Sequence, residues 1–345
     1  MTHKPTIYLH AGLHKTGTTA IQRVCRRNRK LLHKRGLIYP HAREIVGSPN
    51  QEGQHHLAHA IAGQTNPLSK HDARRFIRHC REEATERQFP LLISTEAVSR
   101  HTLPGYGSWL DGRCAYLEQL REFLSDFHVH VLLVLRRQDD FVDSMYRERV
   151  SKSYTREFEI YRRELLSRSL RFHDQINLFS KVFDETSVFL YEDLKQGPGL
   201  ATNLLRQANV DISDLGPTPR TRRSLGPREV ALKRMLNAEL STDRKIRKEQ
   251  NRALARLLRS TPVQRILDEN WTVSAPTLWR TPEERQKFQG QFDEENARIR
   301  MAWFPDRKNL FPVPDDKEIG EYVGDAPPII LDKIFTLARK KGVID

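Results

Sequence analysis

Residues 7–22 read IYLHAGLHKTGTTAIQ, and this stretch decides the fold. Its apolar start, Ile7–Leu9, predicts a strand, residues 10–17 with their two glycines predict a tight turn, and Thr18 begins a predicted helix. The first N–H groups of such a helix have no internal partner, and the helix dipole adds partial positive charge there. We therefore expect an anion site, to which Lys15 adds a full charge and to which three hydroxyls contribute, those of Thr16, Thr18 and Thr19.

The spacing of the two glycines invites comparison with the nucleotide-binding loop G-x-x-x-x-G-K-[ST]. Gly12 and Gly17 have that spacing, but Thr18 and Thr19 stand where the lysine and the Ser/Thr belong. The lysine of this chain comes two residues before the second glycine, so it enters the loop from a different side. This departure argues against an ATP or GTP enzyme. A nucleotide kinase or NTPase stays open as an alternative, as does a strand-to-helix turn without a ligand.

A second motif follows the clearest strand in the sequence. Residues 128–135, HVHVLLVL, form a near-continuous apolar run that is typical of a parallel strand covered on both faces. The residues RRQDDFVDSMY, 136–146, then enter a helix. Arg136 at the strand end and Ser144 two turns into the helix can converge on one anion, because a guanidinium binds phosphate in a bidentate fork.

Two further strands are predicted at residues 89–94 and 186–190. The first leads to Glu96, and the second leads to Tyr191. Parallel strands joined through helices form right-handed crossovers, so we predict an α/β fold with a P-loop-like, doubly wound parallel sheet flanked by helices. Ligands of such sheets bind outside the carboxyl ends of the strands. We assign residues 1–215 to this core and residues 216–345 to a mostly helical extension packed on it, within one structural domain overall.

Three features resemble sulfotransferases that use 3′-phosphoadenosine 5′-phosphosulfate (PAPS). The hexapeptide His14–Thr19 resembles their 5′-phosphosulfate loop. The pattern Arg136-(x)7-Ser144 resembles their 3′-phosphate-binding element. The Tyr-Glu-Asp-Leu sequence that begins at Tyr191 resembles a strand end that lies near the adenine in this family. ENARIRMAWFP, residues 295–305, resembles the late helix of bacterial carbohydrate-type members. The basic loop R-K-G-x-x-G-D-W-K of eukaryotic cytosolic members is absent. The resemblance implies that PAPS is bound by His14, Lys15, Thr16, Gly17, Thr18, Thr19, Arg136, Ser144 and Tyr191. It also implies a contribution from Arg222, which lies in a basic loop with Arg223 and Ser224.

The activity that the resemblance implies is sulfuryl transfer from PAPS to an acceptor hydroxyl or amine, on a carbohydrate or a glycolipid. Lys15 would neutralise the leaving oxygen, and no metal is required. Glu96, or else His55 or His56, would take the acceptor's proton. Glu96 can equally be a helix-entry residue, and the histidines near residue 56 lack a recognisable set of metal-ligand neighbours. Non-catalytic binding of anionic glycans stays open as a third class of function.

The composition of the chain limits the classes of ligand and the cellular compartment that we predict. The 345 residues include 58 Lys and Arg against 44 Asp and Glu, a formal charge of +14 that suits an anionic ligand. No nucleic-acid-binding signature accompanies this charge, so no nucleic-acid partner is predicted. The three cysteines, Cys25, Cys80 and Cys114, are odd in number and widely spaced, which favours neither disulfides nor a zinc site and fits a reducing cytoplasm. The absence of a membrane-length apolar run predicts a soluble, bacterial-type, cytoplasmic protein without a transmembrane segment.

Overall fold

The computed structural model describes residues 4–49, 52–64, 68–165, 170–216, 224–312 and 320–344. Through the third strand its elements are β1 (Thr6–His10), α1 (Thr18–Arg27), α2 (Arg29–Lys34), α3 (Ala42–Val46), α4 (His55–Ile61), α5 (Lys70–Arg87), β2 (Leu91–Ser94), a 3₁₀ helix (Glu96–Ser99), α6 (Trp109–Phe123) and β3 (His128–Leu135). Next come α7 (Gln138–Ser151), α8 (Phe158–Leu165), α9 (Phe172–Val182), β4 (Glu185–Leu190), α10 (Tyr191–Leu194) and α11 (Leu200–Leu205). Short 3₁₀ turns at Arg206–Ala208, Ser213–Leu215 and Asn237–Glu239 accompany the last helices, α12 (Pro227–Leu236), α13 (Arg244–Leu258), α14 (Thr261–Asn270), α15 (Pro282–Gly290), α16 (Asp293–Trp303) and α17 (Pro328–Lys340).

The four strands form one parallel sheet in the order β2-β1-β3-β4. In its register Ile7 lies opposite Leu91 on one side and Val129 on the other. Strand β3 lies next to β1 and β4 and is almost entirely buried, as its apolar run predicts. The predicted α/β class with a parallel sheet flanked by helices is confirmed, and the carboxyl ends of β1, β2, β3 and β4 share one edge.

By its internal contacts the chain divides into two compact units. The first comprises Met1–Arg136 and Arg171–Thr221, and it contains the whole sheet. The second comprises Arg137–Leu170 and Arg222–Asp345. The sequence prediction assigned residues 137–170 to the core, whereas the contacts group this segment with the C-terminal residues.

The first unit has an apolar core that fixes α1 against the sheet. Ile21 and Cys25 of α1 are fully buried and belong to one cluster with Leu92 of β2 and Leu132 of β3. Full burial of each such side chain contributes about 1.5–3 kcal/mol. This packing holds the start of α1, and with it the loop that precedes it, at the carboxyl edge of the sheet.

The helix predicted to begin at Thr18 is interrupted at Asn28. Both the backbone N–H and the side-chain Nδ2 of Asn28 donate to the carbonyl of Val24, at 3.0 and 2.9 Å. Asparagine side chains compete with helical hydrogen bonding in this way, so α1 ends and α2 begins on either side of Asn28. The short helix α3 follows within the segment 41–53.

The second unit is helical, as predicted for most of the C-terminal residues. Its α12 is joined to α7 and the turn that follows α7 through Asn237, whose Nδ2 donates to the carbonyls of Val150 and Tyr154 at 2.8 Å each. Among the helices of the described ranges, none is both long enough and apolar enough to cross a membrane.

Candidate functional site

The loop between β1 and α1 has an unusual backbone. Gly12, Lys15 and Gly17 all have positive φ, at 30°, 66° and 78°. The left-handed conformation is open to glycine but costs a side-chain-bearing residue such as lysine about 1–2 kcal/mol. The hydroxyl of buried Thr16 donates to the carbonyl of Leu13 at 2.6 Å and braces the turn. Local strain held by bracing of this kind is a feature of ligand-binding loops.

The helix that follows begins without a side-chain cap. Gly17 is the N-cap residue of α1 and has no side chain to accept from the first N–H groups. The first turn contains no acidic residue. Thr18 is buried at this start and Thr19 is exposed. An uncapped N-terminus with its dipole and no carboxylate in its own first turn favours an anion.

Arg136 connects the end of β3 to this loop. Its Nη1 donates to the carbonyl oxygen of Lys15 at 3.1 Å. Its guanidinium carbon lies 5.3 Å from the ring centre of Tyr191, which follows β4. The Cε2 atom of Tyr191 lies 3.2 Å from the position that a Cβ on Gly17 would occupy. Four residues that the sequence predicts to bind a nucleotide, Lys15, Gly17, Arg136 and Tyr191, are therefore neighbours.

Two residues at this place were missed by the sequence analysis. The Nζ atom of Lys195 lies 4.8 Å from the ring centre of Tyr191, so this ring has two cations near it. Leu200 packs even closer to Gly17, since its Cδ2 lies 2.1 Å from the position of the absent Cβ. Tyr191 and Lys195 are four residues apart, which is a helical spacing, and this spacing could have indicated the contact between them.

Glu96 and His55, two of the candidate bases, lie side by side. Glu96 begins the 3₁₀ helix after β2, and its Oε2 accepts from Gln22 Nε2 at 3.1 Å and lies 3.6 Å from His55 Nε2. Burial lowers the pKa of His55, with Arg100 adding to the decrease and Glu96 opposing it. The lowered pKa favours the neutral form of His55, whose Nε2 lies close to the Glu96 carboxylate. Gln22, on the second turn of α1, connects this pair to the helix that carries the loop.

His56 has other neighbours. Its Nδ1 lies 2.6 Å from Ser48 Oγ, and it lines a pocket together with His41, Arg43 and Phe76. Burial, with the charges of His59 and His55, lowers the pKa of His56 to about 4. Its role as a base stays a prediction, and the contacts of Glu96 and His55 make those two the better-connected candidates.

Two further histidines, His59 and His101, form a hydrogen-bonded pair. His59 Nδ1 and His101 Nε2 are 2.8 Å apart, so one ring donates and the other accepts. Burial lowers the pKa of both rings, that of His101 to about 4. Within the part of the chain that the structure describes, no group of three or more His, Cys, Asp and Glu side chains is arranged to hold a metal ion.

Ser144, a predicted ligand of the 3′-phosphate, belongs to the second unit, as does the basic loop at residues 222–224. Ser144 is a half-buried residue of α7, and its convergence with Arg136 stays a prediction. Arg222 and Arg223 lie outside the described residues, and Ser224 is exposed.

The second arginine of the RR pair has a structural role within its own unit. Arg137 Nε donates to Asp139 Oδ1 at 2.6 Å, and its Nη1 donates to the carbonyl of Pro312 at 3.1 Å. Asp139 is itself paired with Arg285 at 2.6 Å, and Arg285 also reaches Asp140 at 2.9 Å. Arg137 is thus committed to a nearly buried carboxylate, which supports Arg136 as the ligand-binding member of the pair.

Comparison with known proteins yields little. No family model and no curated protein matches the chain. Among solved structures, a chain from work titled "Molecular and structural characterization of the PezAT chromosomal toxin-antitoxin system of the human pathogen Streptococcus pneumoniae" is similar over 75% of this chain and 87% of its own length. Its sequence identity is 10% and its TM-score is 0.24, a likeness on which no argument rests.

Proposed function

We propose that this protein is a PAPS-dependent sulfotransferase built on a P-loop-like, doubly wound sheet. The observation that carries the proposal is the contact of Arg136 with the carbonyl of Lys15, because it unites the two separated motifs at one sheet edge. A doubly anionic adenosine nucleotide needs cationic groups at more than one place. Lys15 and Arg136 supply them at the strand ends, and Lys195, which pairs with Glu192, lies beside Tyr191.

In the proposed reaction an acceptor hydroxyl attacks the sulfur atom in line, and the bond between sulfur and the bridging phosphate oxygen breaks. Charge grows on that oxygen, as in phosphoryl transfer, so catalysis depends on positioning and electrostatic stabilisation. Lys15 neutralises the leaving oxygen, and the loop backbone with the start of α1 binds the 5′-phosphate. The acceptor's proton passes to the pair formed by Glu96 and His55.

Recognition of the 3′-phosphate separates this proposal from a kinase or NTPase. Arg136 is assigned to that phosphate, and the ring of Tyr191 to the adenine. Thr18 stands where a nucleotide-binding loop of ATP enzymes has its lysine. The proposed binding needs no Mg²⁺, because Lys15 and the start of α1 supply the positive charge. The acceptor is proposed to be a carbohydrate or glycolipid hydroxyl. The three free cysteines fit a reducing compartment, and we propose a bacterial cytoplasm.

Calorimetric titration tests the proposal. We expect 3′-phosphoadenosine 5′-phosphate (PAP) to bind about tenfold or more tightly than AMP or ADP, without Mg²⁺, because a guanidinium–phosphate pair contributes roughly 1.5–3 kcal/mol. Arg136→Ala should remove this preference. Arg74→Ala, at an exposed site on α5, is the matched control and should leave it intact. Equal affinity for PAP and ADP, or binding only of Mg²⁺–ATP, contradicts the proposal.

One observation favours a second candidate function, the binding of an acidic polysaccharide. Helix α13 carries Arg244, Lys248, Arg252 and Arg256, all exposed and spaced four residues apart. Residues with this spacing are neighbours on one helix face, and the row extends over about 18 Å. A row of this kind suits a linear polyanion such as a sulfated glycan.

A further inference from the structure

The side chain of Gln22 is buried between α1 and the carboxyl end of β2. Only 2% of this residue is exposed. Its Nε2 donates to the carbonyl oxygen of Ser94 at 3.2 Å and to Oε2 of Glu96 at 3.1 Å. An amide nitrogen has two protons to donate, so both are used. The orientation of the Gln22 amide is therefore fixed by the strand end that leads to Glu96.

Gly53 makes room for this amide. A Cβ on Gly53 would lie 2.5 Å from both Cδ and Nε2 of Gln22 and 2.6 Å from the carbonyl oxygen of Ser94. Glycine permits such a close approach because it has no Cβ. The next residue, Gln54, is held to β2, since its N–H donates to the Ser94 carbonyl at 3.0 Å and its Oε1 accepts from the Ser94 N–H at 2.8 Å. The Gln22 amide thus lies in a tight space beside fixed backbone.

The contacts of Glu96 distinguish its two carboxylate oxygens. Oε2 accepts from Gln22 and lies 3.6 Å from Nε2 of His55. Among the residues that the structure describes, no hydrogen bond is donated to Oε1. An ionised carboxylate can accept through either oxygen, so Oε1 is the one left to receive a proton from outside the chain.

Gln22 also sets the spacing between Glu96 and the start of α1. Thr18 and Gln22 are both buried and are four residues apart, so they lie on one face of the helix, about 6 Å apart along its axis. In-line attack requires the sulfur atom to lie between the acceptor oxygen and the leaving oxygen. The base and the phosphate-binding helix start must therefore keep a defined separation, and a displacement of about 1 Å can lower a rate roughly a hundredfold.

We propose that Gln22 is a positioning residue for sulfuryl transfer, which holds Oε2 of Glu96 so that Oε1 receives the acceptor's proton. The acceptor oxygen supplies the electron pair of the new bond to sulfur. PAP leaves with the electron pair of the broken bond between sulfur and the bridging oxygen. This role rests on the proposed function, because it requires Glu96 to be the base.

The test removes the donor and keeps the length of the side chain. We expect Gln22→Met to lower kcat about tenfold or more with PAPS and methyl β-glucoside, while the calorimetric affinity for PAP changes less than about twofold. Gln175→Met, at an equally buried glutamine on α9, is the matched control and should change neither value. If Gln22 acts through Glu96, Gln22→Met should lower the residual kcat of Glu96→Gln by less than about twofold.

The outcomes separate the positioning role from the proposed function. Folded Gln22→Met with wild-type kcat overturns the role and leaves the function standing. An equal loss with and without the Glu96 carboxylate also overturns it, because Gln22 would then act on the fold alone. A wild type that releases no PAP from PAPS above the rate in buffer, with methyl β-glucoside or water as acceptor, overturns both. Thermal unfolding shows which variants are folded, and should Gln22→Met not fold, Gly53→Ala, which displaces the same amide, decides by the same comparison.

Discussion

Lys15 holds a left-handed backbone conformation, with φ of 66°, that few non-glycine residues adopt. Its carbonyl oxygen accepts from Arg136, so the strained residue is braced from a neighbouring strand. The conformation fixes where the lysine side chain leaves the loop. If that side chain neutralises a leaving oxygen, its removal must affect the chemical step more than the fold.

We therefore expect Lys15→Ala to lower turnover of PAPS by about a hundredfold or more, as loss of one preorganised oxyanion donor does. The rate of PAP release in single-turnover experiments on the variant and the wild type measures this decrease. Lys34→Ala, at an exposed position at the end of α2, is the control and should keep wild-type turnover. Near-normal turnover of Lys15→Ala would rule out its proposed role.

His10 makes stability depend on pH. Burial lowers its pKa to about 4 from the ordinary 6.5, so the unfolded chain binds more protons than the folded chain between these values. Its contribution is fully present above pH 6.5 and is lost as the pH falls towards 4. Between pH 7.5 and pH 5.0 the wild type should lose roughly 2 kcal/mol more unfolding free energy than His10→Asn does, by urea denaturation. Equal losses would show that His10 is not responsible.

At the scale of elements, the strands and most helices could be predicted from the sequence because apolar runs and helical spacing are local signals. The same signals placed Glu96 and Tyr191 at strand ends. Contacts across the sheet could not be predicted, since they depend on register: His10 meets Ser94, Gln22 meets Glu96, and each pair is separated by more than 70 residues. The break at Asn28 was also missed, because asparagine is tolerated inside many helices.

Gly17 shows how one element constrains another. An alanine there would meet Leu200 Cδ2 at 2.1 Å and keep a φ of 78°. Gly47 has a similar φ of 69° with nothing within 4 Å of the added Cβ, so Gly47→Ala isolates the backbone cost of about 1 kcal/mol. We expect Gly17→Ala to cost about 1–2 kcal/mol more than Gly47→Ala in unfolding free energy, because the Leu200 side chain at the start of α11 must move away to make room for the added Cβ. Chemical denaturation of both variants measures the difference, and equal costs would mean that Leu200 yields freely.

At the scale of the whole molecule, the net charge of +14 supports attraction to any polyanion and gives no specificity by itself. What distinguishes α13 is the arrangement of its cations in one row. Screening limits each exposed charge to a range of about 8–10 Å at moderate salt, so neighbouring cations in a row act together on a linear partner whereas scattered ones do not. Removing cations from the row and removing cations elsewhere should therefore have different effects if α13 is a defined binding face, and the same effect if only net charge matters.

The separating experiment uses two double variants of equal charge. Lys248→Gln with Arg252→Gln removes two cations from the row of α13, and Arg74→Gln with Arg78→Gln removes two exposed cations at the same spacing from α5. Both lower the formal net charge of +14 by two. We expect only the α13 variant to elute from a dextran sulfate column at clearly lower salt, because its loss interrupts a continuous row. The same shift for both variants would mean that net charge alone causes the retention. The row of cations on α13 would then no longer support the second candidate function.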